Sequence, residues 1–413
     1  MFYWKCILIS SIFSMAQGRG QGFGTGEQHW DYVEVREGAH MFYWLYYTTA
    51  NVSNYTERPL IIWLQGGPGG PSTGLGNFYE LGPVDIHGNI REGNFVQHVN
   101  VLFIDSPVGA GYSYVDNTSL LVTNNNELTN DLVSFMEHFY KNHNEFKTVP
   151  LHIFSESYGG VMVPEFARKF DLALKNGTMA QPYLLKSISI GNPWISPMHT
   201  IKEHSRYLFV NGLIDEDGVA LLDAQLKKIK EFDKDTESEW FELIDNLTSS
   251  TSLYNTHFSV DFTEAYAYGY SKNLVKFMAR NISEQLKING SVYGSQINDL
   301  INKFDFKITR YINTIPRLLN ETAIKVNIFS GELDIMCNTE GTLALINDWE
   351  WRNKKEYLQA SRKPININGS LQGYEKIGSN FAMYWINHAG HMVASESPTA
   401  MQYILKAVTQ YDD

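Results

Sequence analysis

Short runs of consecutive apolar residues alternate along the chain with longer segments of helical periodicity. The runs at 60–64, 99–104 and 185–190 predict buried strands, because each is a short apolar stretch bounded by turn residues. The segment 128–146 instead repeats apolar residues at the spacing of one helix face. Strands that alternate with helices indicate a central, mostly parallel sheet with helices on both faces.

The remaining pattern predicts an opening hairpin over 31–48, a strand at 325–329, a terminal hairpin over 372–386 and a last helix over 398–408. Between 195 and 319 strand-like runs become scarce and helical spacing dominates, so we expect a helical insertion here rather than an independent domain. Its predicted amphipathic helices are 216–231, 237–247, 262–287 and 295–313.

One stretch combines a strand, a tight turn and a helix. An apolar run at 151–154 meets Ser155-Glu156-Ser157-Tyr158-Gly159-Gly160, and a helical segment follows to about residue 174. This layout is typical of a nucleophile elbow, in which a strained turn needs small neighbours around an exposed serine. Ser155 replaces the first glycine of the usual G-x-S-x-G pattern. We predict Ser157 as the nucleophile.

An α/β hydrolase carries its serine, acid and histidine in that chain order, each on a loop after a strand. Ser157, Asp334 and His391 have this order and context. His391 would remove the serine proton, and Asp334 would hold the imidazole and stabilise its charged form. Taken alone, Asp334 suits a turn aspartate, and His391 or the nearby His388 suits a packed or surface histidine; the order of the three favours catalysis.

A glycine loop follows the strand at 60–64 and reads Gln65-Gly66-Gly67-Pro68-Gly69-Gly70. Acyl transfer needs backbone donors aimed at the developing oxyanion, and this fold takes one of them from such a loop. We predict the N–H groups of Gly67 and Tyr158 as the oxyanion hole. A phosphate-binding loop is disfavoured, since no lysine follows at the required spacing.

The net charge and the N-terminal residues limit the classes of partner and the cellular compartment that we expect. The 413 residues carry a formal net charge of −12, which argues against nucleic acid and anionic membranes as primary partners. Residues 1–16 resemble a signal peptide, with one lysine before a short apolar stretch; a buried N-terminal helix is the alternative. Residues 17–28 would then form a flexible glycine-rich terminus, and 29–413 the catalytic domain. We expect no membrane-inserted segment.

Nine N-x-S/T motifs are consistent with export and glycosylation. The candidate asparagines are Asn51, Asn54, Asn117, Asn176, Asn246, Asn281, Asn289, Asn320 and Asn368. The two cysteines are Cys6, inside the predicted signal, and Cys337, so the mature chain would have no internal disulfide. Cys337 is expected to be a packed thiol rather than a nucleophile.

The segments WLQGGPGG, FIDSPVGAGYSY, SESYGG, ISIGNPWISP, SGELD and AGHMV resemble, in order, the motif series of serine carboxypeptidases. The glutamine of WLQGGPGG and the scarcity of cysteine are similar to the retinoid-inducible branch of that family. The resemblance implies an α/β-hydrolase fold with the insertion capping the site, and release of C-terminal amino acids at acidic pH. It also implies a secreted or lysosomal enzyme that uses no cofactor and no metal.

The resemblance further implies a site for the C-terminal carboxylate of the substrate, made by Gln65, Gly66 and Glu156. Two carboxyl groups in contact cannot both ionise cheaply, so Glu156 and the substrate would share a proton. Met392 matches a residue of the leaving-group pocket; an ordinary core methionine is the alternative. Where the family often has two glutamates, this chain has Tyr79-Glu80, so one member of the family's carboxyl network is absent.

Three alternatives to hydrolysis of peptide C-termini remain open at this stage. The same fold can transfer acyl groups to a small alcohol, as plant relatives do. The chain could also be a catalytically weak secreted protein that binds or stabilises a partner, or an endopeptidase or ester hydrolase. The expected partners are peptide or protein C-termini, with a homodimer possible and no nucleic acid.

Overall fold

The computed structural model describes residues 18–177, 184–230, 232–249, 251–258, 272–289 and 291–411. In this part of the chain one sheet of twelve strands forms the centre. The strands are β1 Gly18–Gly20, β2 Gln28–Arg36, β3 Ala39–Tyr46, β4 Leu60–Leu64, β5 Asn100–Ile104, β6 Tyr114–Val115, β7 Leu151–Glu156, β8 Leu185–Gly191, β9 Lys325–Gly331, β10 Lys363–Ile367, β11 Ser370–Gly378 and β12 Phe381–Ile386.

The strand order is β1-β2-β3-β5-β4-β7-β8-β9-β12-β11-β10, with β6 paired to β3. The six strands from β5 to β12 in this order are parallel, and the strands on either side of them are antiparallel. The predicted mostly parallel sheet and the strands at 60–64, 99–104 and 185–190 are therefore confirmed. The elbow strand lies near the middle of the parallel region.

Thirteen α-helices lie in the described part of the chain. They are α1 Asn125–Asn142, α2 Gly159–Lys175, α3 Pro197–Val210, α4 Glu216–Leu226, α5 Lys234–Leu247, α6 Lys272–Phe277, α7 Ser283–Gln285, α8 Ile297–Lys303, α9 Thr314–Glu321, α10 Thr339–Asp348, α11 Lys354–Gln359, α12 Val393–Glu396 and α13 Pro398–Thr409. Two π-helical segments, Ser72–Leu81 and Met278–Ile282, complete the longer elements.

Two apolar cores lie on opposite faces of the sheet, because successive side chains of a strand point to opposite sides. On β4, Ile62 belongs to the core that contains α1 and α2, whereas Ile61 belongs to the core that contains α13. Both side chains are fully buried. Burial on both faces explains why the central strands are continuously apolar instead of alternating.

The interval between β8 and β9 contains the helices α3 to α9, joined by turns and loops, and no strand among its described residues. The prediction missed α3 and placed one helix over 295–313, where the structure has α8 followed by a break. Phe304 is extended, and the Asp305 N–H donates to the Thr123 carbonyl at 2.7 Å, so the chain leaves the helix to contact the core. The predicted helix 262–287 falls partly at 259–271, outside the described residues.

The prediction also missed β10, α10 and α11. Strand β10 is exposed along most of its length and contains Pro364, so it lacks the apolar run that marks the central strands. The terminal hairpin is confirmed, with β10 added at its outer edge.

Residues 18–28 are structured, which corrects the expected flexible terminus over 17–28. Strand β1 pairs with the start of β2, and the Gln28 side chain is fully buried. Gln28 Oε1 accepts hydrogen bonds from Trp44 Nε1 and Phe23 N, both at 3.0 Å, so this segment is fixed to the sheet. The predicted signal peptide, residues 1–16, lies outside the described residues. No helix within the described ranges has the length and apolar character that crossing a bilayer requires.

Candidate active site

Ser157 occupies the turn between β7 and α2. Its φ of 55° is in the left-handed region, as expected for a strained elbow. A Cβ at Gly159 would lie 2.0 Å from Ser155 Oγ, and one at Gly160 would lie 2.6 Å from Ile195 Cγ1, so both glycines are required. Ser155 fits in place of glycine because its hydroxyl donates to the Leu64 carbonyl at 2.5 Å.

Asp334 and His391 lie on loops after β9 and β12 and are hydrogen-bonded to each other. The distance between His391 Nδ1 and Asp334 Oδ2 is 2.7 Å, and Asp334 is fully buried. Asn192 Nδ2 donates to the same Asp334 oxygen at 2.7 Å, and the Cys337 N–H donates to the other at 3.1 Å. Asp334 is thus held in place as an acceptor for His391.

Asn192 was not among the site residues predicted from the sequence. It follows β8 with a φ of 38°, and its Oδ1 accepts from the Gly331 N–H at 3.1 Å. Asparagine tolerates the left-handed region better than most residues. The Gly-Asn-Pro turn after a predicted strand was the sequence signal for this residue. Its role in orienting Asp334 becomes visible only from the hydrogen bond between the two side chains in the fold.

The charge of the site favours a protonated imidazole. Burial lowers the pKa of His391, but the charge of Asp334 and its hydrogen bond, with smaller contributions from Glu396 and Glu80, outweigh burial and raise that pKa above its usual value. With Nδ1 engaged by Asp334, Nε2 is the nitrogen left to exchange a proton with a substrate or with Ser157.

Ser157 and His391 line one cavity of about 620 Å³. Among the described residues no hydrogen bond joins their side chains. Apo hydrolase sites often leave this contact open until substrate binds. The structure therefore brings the three predicted triad residues together, with the Asp334–His391 bond formed and the Ser157–His391 bond absent.

The glycine loop lies directly against the elbow. A Cβ at Gly66 would lie 2.8 Å from Ser157 Cβ and 3.3 Å from the Tyr158 nitrogen, so only glycine permits this approach. Among the described contacts, the N–H groups of Gly66, Gly67 and Tyr158 donate to no other protein group. All three residues line the cavity. These amides are available to a developing oxyanion or a carboxylate.

Next to Ser157 lies a cluster of buried polar side chains. Gln65 Nε2 donates to Glu156 Oε1 at 2.5 Å, and Gln65 Oε1 accepts from Trp63 Nε1 at 2.7 Å. The carboxyl group of Glu80 faces that of Glu156, and both side chains are buried. Neither Glu80 oxygen accepts from an N–H or hydroxyl donor in the described part of the chain.

Two buried carboxyl groups in contact must share a proton, because ionising both would place like charges together away from water. Burial and then the proximity of Glu80 raise the pKa of Glu156 well above its usual value. Burial also raises the pKa of Glu80, to about 7, against the opposing influence of the neighbouring Glu156 and Gln65 side chains and of the charge of Arg91. The sequence identifies Glu80 only as the remaining glutamate of its motif. That its carboxyl group lies beside that of Glu156 is evident only from the fold.

Met392 follows His391, is buried and lines the cavity, as do Gln65 and Glu156. Apolar side chains of the helical insertion, together with Trp194 just before it, also line the cavity. The insertion residues are Phe232, Ile297, Ile301, Phe304, Phe306 and Ile308. The cavity is therefore apolar over much of its surface, with convergent polar groups beside Ser157, as is usual for a substrate site.

Asp334, Cys337 and His391 offer three ligand atoms within 4.8 Å of one another, which invites comparison with a metal site. These three side chains are nevertheless poorly suited to binding a metal ion. Both Asp334 oxygens already accept hydrogen bonds, and burial, with the nearby charge of Asp334, raises the pKa of the Cys337 thiol well above its usual value. A protonated thiol is a poor metal ligand.

Eight of the nine candidate glycosylation asparagines are exposed. Asn320 is half-buried, and its Oδ1 accepts from the Arg352 N–H at 2.7 Å.

Comparison with known proteins decides the family. The serine carboxypeptidase family matches this chain over residues 20–411. The chain belongs to the serine carboxypeptidase family. Retinoid-inducible serine carboxypeptidase of Rattus norvegicus is 30% identical over 441 residues, covering 98% of this chain and 97% of the relative. The Homo sapiens protein of that name is 30% identical over 420 residues, covering 94% and 92%.

The serine carboxypeptidase fold is also found among solved structures. Kex1(delta)p, a prohormone-processing carboxypeptidase from Saccharomyces cerevisiae, superimposes with a TM-score of 0.79 and 22% identity, covering 93% of this chain and 91% of its own. The predicted α/β-hydrolase fold is thereby confirmed, as is the resemblance to the retinoid-inducible branch. Members of this family are hydrolases, and the chain is a serine-type carboxypeptidase by family.

Proposed function

We propose that this protein removes C-terminal amino acids from peptides through an acyl-enzyme intermediate and does so best at acidic pH. The observation that carries the proposal is the buried group of Glu156, Glu80 and Gln65 directly beside Ser157. A protonated carboxyl and an amide are hydrogen-bond donors suited to a free carboxylate. An endopeptidase or general esterase has no need for such a group next to its nucleophile.

In the proposed first step, Ser157 Oγ attacks the carbonyl carbon of the last peptide bond while His391 Nε2 takes the hydroxyl proton. The charge that develops on the carbonyl oxygen is stabilised by the N–H groups of Gly67 and Tyr158. As the C–N bond breaks, His391 returns the proton to the leaving amine. The products are an ester on Ser157 and the free C-terminal amino acid.

In the second step, a water molecule attacks the ester carbon and gives its proton to His391. The C–O bond to Ser157 then breaks, Ser157 Oγ regains the proton and the shortened peptide leaves. Asp334 keeps its hydrogen bond to Nδ1 throughout and stabilises the imidazolium that forms in each step. In the same scheme Met392 contacts the side chain of the departing residue.

The proposed pH dependence follows from the two sets of titrating groups. Glu156 binds the substrate carboxylate while it holds its proton, and loss of that proton as the pH rises places two negative groups together. KM should therefore rise on the alkaline side. On the acidic side His391, whose pKa is raised by Asp334, becomes protonated and cannot act as a base, so kcat should fall, and the proposed acidic preference comes from KM alone. The expected profile is a bell whose alkaline side depends on the Glu80–Glu156 pair.

The decisive experiment compares a peptide with a free C-terminus and the same peptide with a C-terminal amide. We expect the purified wild type to hydrolyse the free acid with a kcat/KM at least about tenfold higher than the amide at pH 5, because one charge-assisted hydrogen bond contributes about 1.5–3 kcal/mol. The preference should decline towards pH 8. A fluorophosphonate should label Ser157, and Ser157→Ala should abolish both labelling and release.

Equal rates on the acid and the amide would contradict carboxylate recognition while leaving a serine hydrolase. Undiminished release by Ser157→Ala would contradict the acyl-enzyme route. Ester products formed in the presence of a small alcohol, with little hydrolysis, would identify an acyltransferase. An unlabelled wild type that co-purifies with an intact peptide would identify a binding protein instead.

We further propose that the protein is exported and acts on peptide or protein C-termini in a secretory, lysosomal or extracellular compartment. The signal-like residues 1–16 and the exposed sequons support this assignment. Expression in a eukaryotic host should give a product whose mass falls on treatment with an endoglycosidase. A homodimer remains a prediction.

A further inference from the structure

The segment 252–256, between α5 and α6, contacts both loops that carry the acid and the base of the triad. Four backbone hydrogen bonds make these contacts. They run from Ile335 N to Leu253 O at 3.0 Å, from Met336 N to Leu253 O at 2.9 Å, from Thr256 N to Leu333 O at 3.0 Å and from His391 N to Tyr254 O at 2.7 Å. The segment thus bridges the Asp334 loop and the His391 loop.

Side chains reinforce the contact with the His391 loop. Glu396 Oε2 accepts from the Gly390 N–H and from Asn255 Nδ2, both at 2.6 Å. Asn255 is buried, with 3% of its surface exposed. A Cβ at Gly390 would lie 2.1 Å from the Tyr254 carbonyl oxygen, so the two segments are in direct contact. Glu396 Oε2 therefore bridges Gly390, the residue before His391, and Asn255 of the insertion through two hydrogen bonds.

Glu396 also lies within electrostatic range of the catalytic groups. The charged or titratable groups facing it are Asp334, His391 and Glu156. Burial raises the pKa of Glu396, and the bonds from Gly390 and Asn255 oppose that rise. When ionised, Glu396 adds to the effect of Asp334 in favouring the protonated imidazole of His391.

We propose that Asn255 and Glu396 form a polar clasp that positions His391 for proton transfer. The inference rests on the proposed role of His391 as the base. The bond to Asp334 orients the imidazole ring, whereas the clasp fixes the backbone from which the ring extends. Neither Asn255 nor Glu396 is assigned a contact with the reacting atoms, so both are positioning residues. A small displacement of a catalytic group can lower the rate by roughly 100-fold.

The geometry gives the clasp two separable effects, one of position and one of charge. Glu396→Gln retains an oxygen that can accept from both donors but removes the negative charge. Glu396→Ala and Asn255→Ala remove the hydrogen bonds. Asn255→Asp places a second carboxyl group against Glu396, so that the contact is restored only when a proton is shared.

The test measures kcat and KM of the full-length variants on the free-acid peptide from pH 4 to pH 8, with Glu350→Gln as an exposed control. We expect Glu396→Ala and Asn255→Ala to lower kcat by roughly 10- to 100-fold with KM changed less than about threefold. Glu396→Gln should keep most of the plateau kcat and shift its acidic limb to lower pH. Asn255→Asp should lose kcat near neutral pH and recover on acidification.

Circular dichroism and thermal unfolding show which variants are folded, and the two near-isosteric variants carry the test if the alanine variants fail to fold. Unchanged kcat in the folded alanine variants, or an acidic limb that Glu396→Gln does not move, would overturn the clasp. Failure of the proposed function looks different: the wild type itself would resist fluorophosphonate labelling, and Ser157→Ala would retain activity.

Discussion

Glu80 and Glu156 face each other in a buried position beside Ser157, and Gln65 donates to the second of them. In water each carboxyl group would ionise below neutral pH. Here burial and mutual repulsion hold a proton on the pair, which turns an acceptor into a donor. The resulting donor can bind a carboxylate, which a charged Glu156 would repel.

Replacing Glu80 by glutamine tests this sharing. The new amide can donate to Glu156 and so favours its ionised form, and the repulsion from Glu80 disappears; both changes lower the pKa of Glu156. We expect KM for the free-acid peptide to begin rising at a lower pH than in the wild type, reaching roughly a tenfold increase near pH 7, the loss of about one charge-assisted hydrogen bond.

The amidated peptide is the control substrate, and its KM should not change. Glu137→Gln, on the exposed face of α1, is the control variant. A KM profile that coincides with the wild type across pH 4–8 would rule out a proton shared by Glu80 and Glu156.

The triad could be predicted from the sequence because each member follows a strand and the fold places the ends of parallel strands together. The roles of Asn192, Asn255 and Glu396 could not be predicted from the sequence. The contacts of Asn192 with Asp334 and of Asn255 with Glu396 join residues 142 and 141 positions apart, and the periodicity of the sequence does not show which side chains will be in contact. Polar contacts between distant loops appear only once the sheet order is known.

Helix α5 is linked to the Asp334 loop through two side chains. Trp240 Nε1 donates to His204 Nδ1 at 2.9 Å, and His204 Nε2 lies 2.7 Å from the Ile335 carbonyl oxygen. With Nδ1 accepting, Nε2 must carry the hydrogen and donate, which fixes a neutral tautomer. Burial lowers the pKa of His204 to about 4, which keeps the ring neutral.

Removing the indole donor should weaken this link. We expect Trp240→Phe to lower the free energy of unfolding by about 1–3 kcal/mol, since it leaves a buried nitrogen of His204 without its donor. Urea denaturation at pH 7 measures the change. Trp351→Phe is a matched control, because Trp351 is also buried but its indole N–H has no acceptor among the described residues. Equal losses in the two variants would contradict the link.

At the scale of elements, the sequence predicted those that carry a strong apolar period. Strand β4 was found because it is apolar on both of its buried faces, and helix α13 because its apolar residues repeat along one face. Helix α3 was missed because it begins within the ISPM turn and its polar residues interrupt the period, although Ile201 and Leu208 are buried. Strand β10 was missed because an edge strand needs few apolar residues. Tertiary contacts, rather than local propensity, decide such elements.

For the whole molecule, buried histidines and buried carboxyls make opposite contributions to stability as the pH falls. Burial lowers the pKa of His152 to about 3 and that of His204 to about 4. The unfolded chain binds these protons from about pH 6.5, so acidification to pH 4 destabilises the fold. Glu80 and Glu156 have raised pKa values, so the folded state takes up their protons first and is stabilised by the same acidification.

We expect His204→Gln to flatten the pH dependence between pH 6.5 and pH 4. Its side-chain amide can still donate to Ile335, but it cannot take up a proton. The wild type should lose on the order of 3 kcal/mol of unfolding free energy over that range through His204, and the variant should not. Denaturant unfolding at several pH values measures both slopes. Parallel slopes would show that His204 is not neutral in the folded protein.

Cys337 is the only cysteine after residue 6, and it is fully buried with a thiol pKa well above the usual value. Maleimides react with exposed thiolates, so the folded protein prepared without residues 1–16, which include Cys6, should give almost no background with such dyes. A cysteine introduced at the exposed Glu239 of helix α5 could therefore carry a single fluorophore. Single-molecule recordings from that dye would reveal whether the insertion moves against the sheet during turnover, without any native thiol having to be removed.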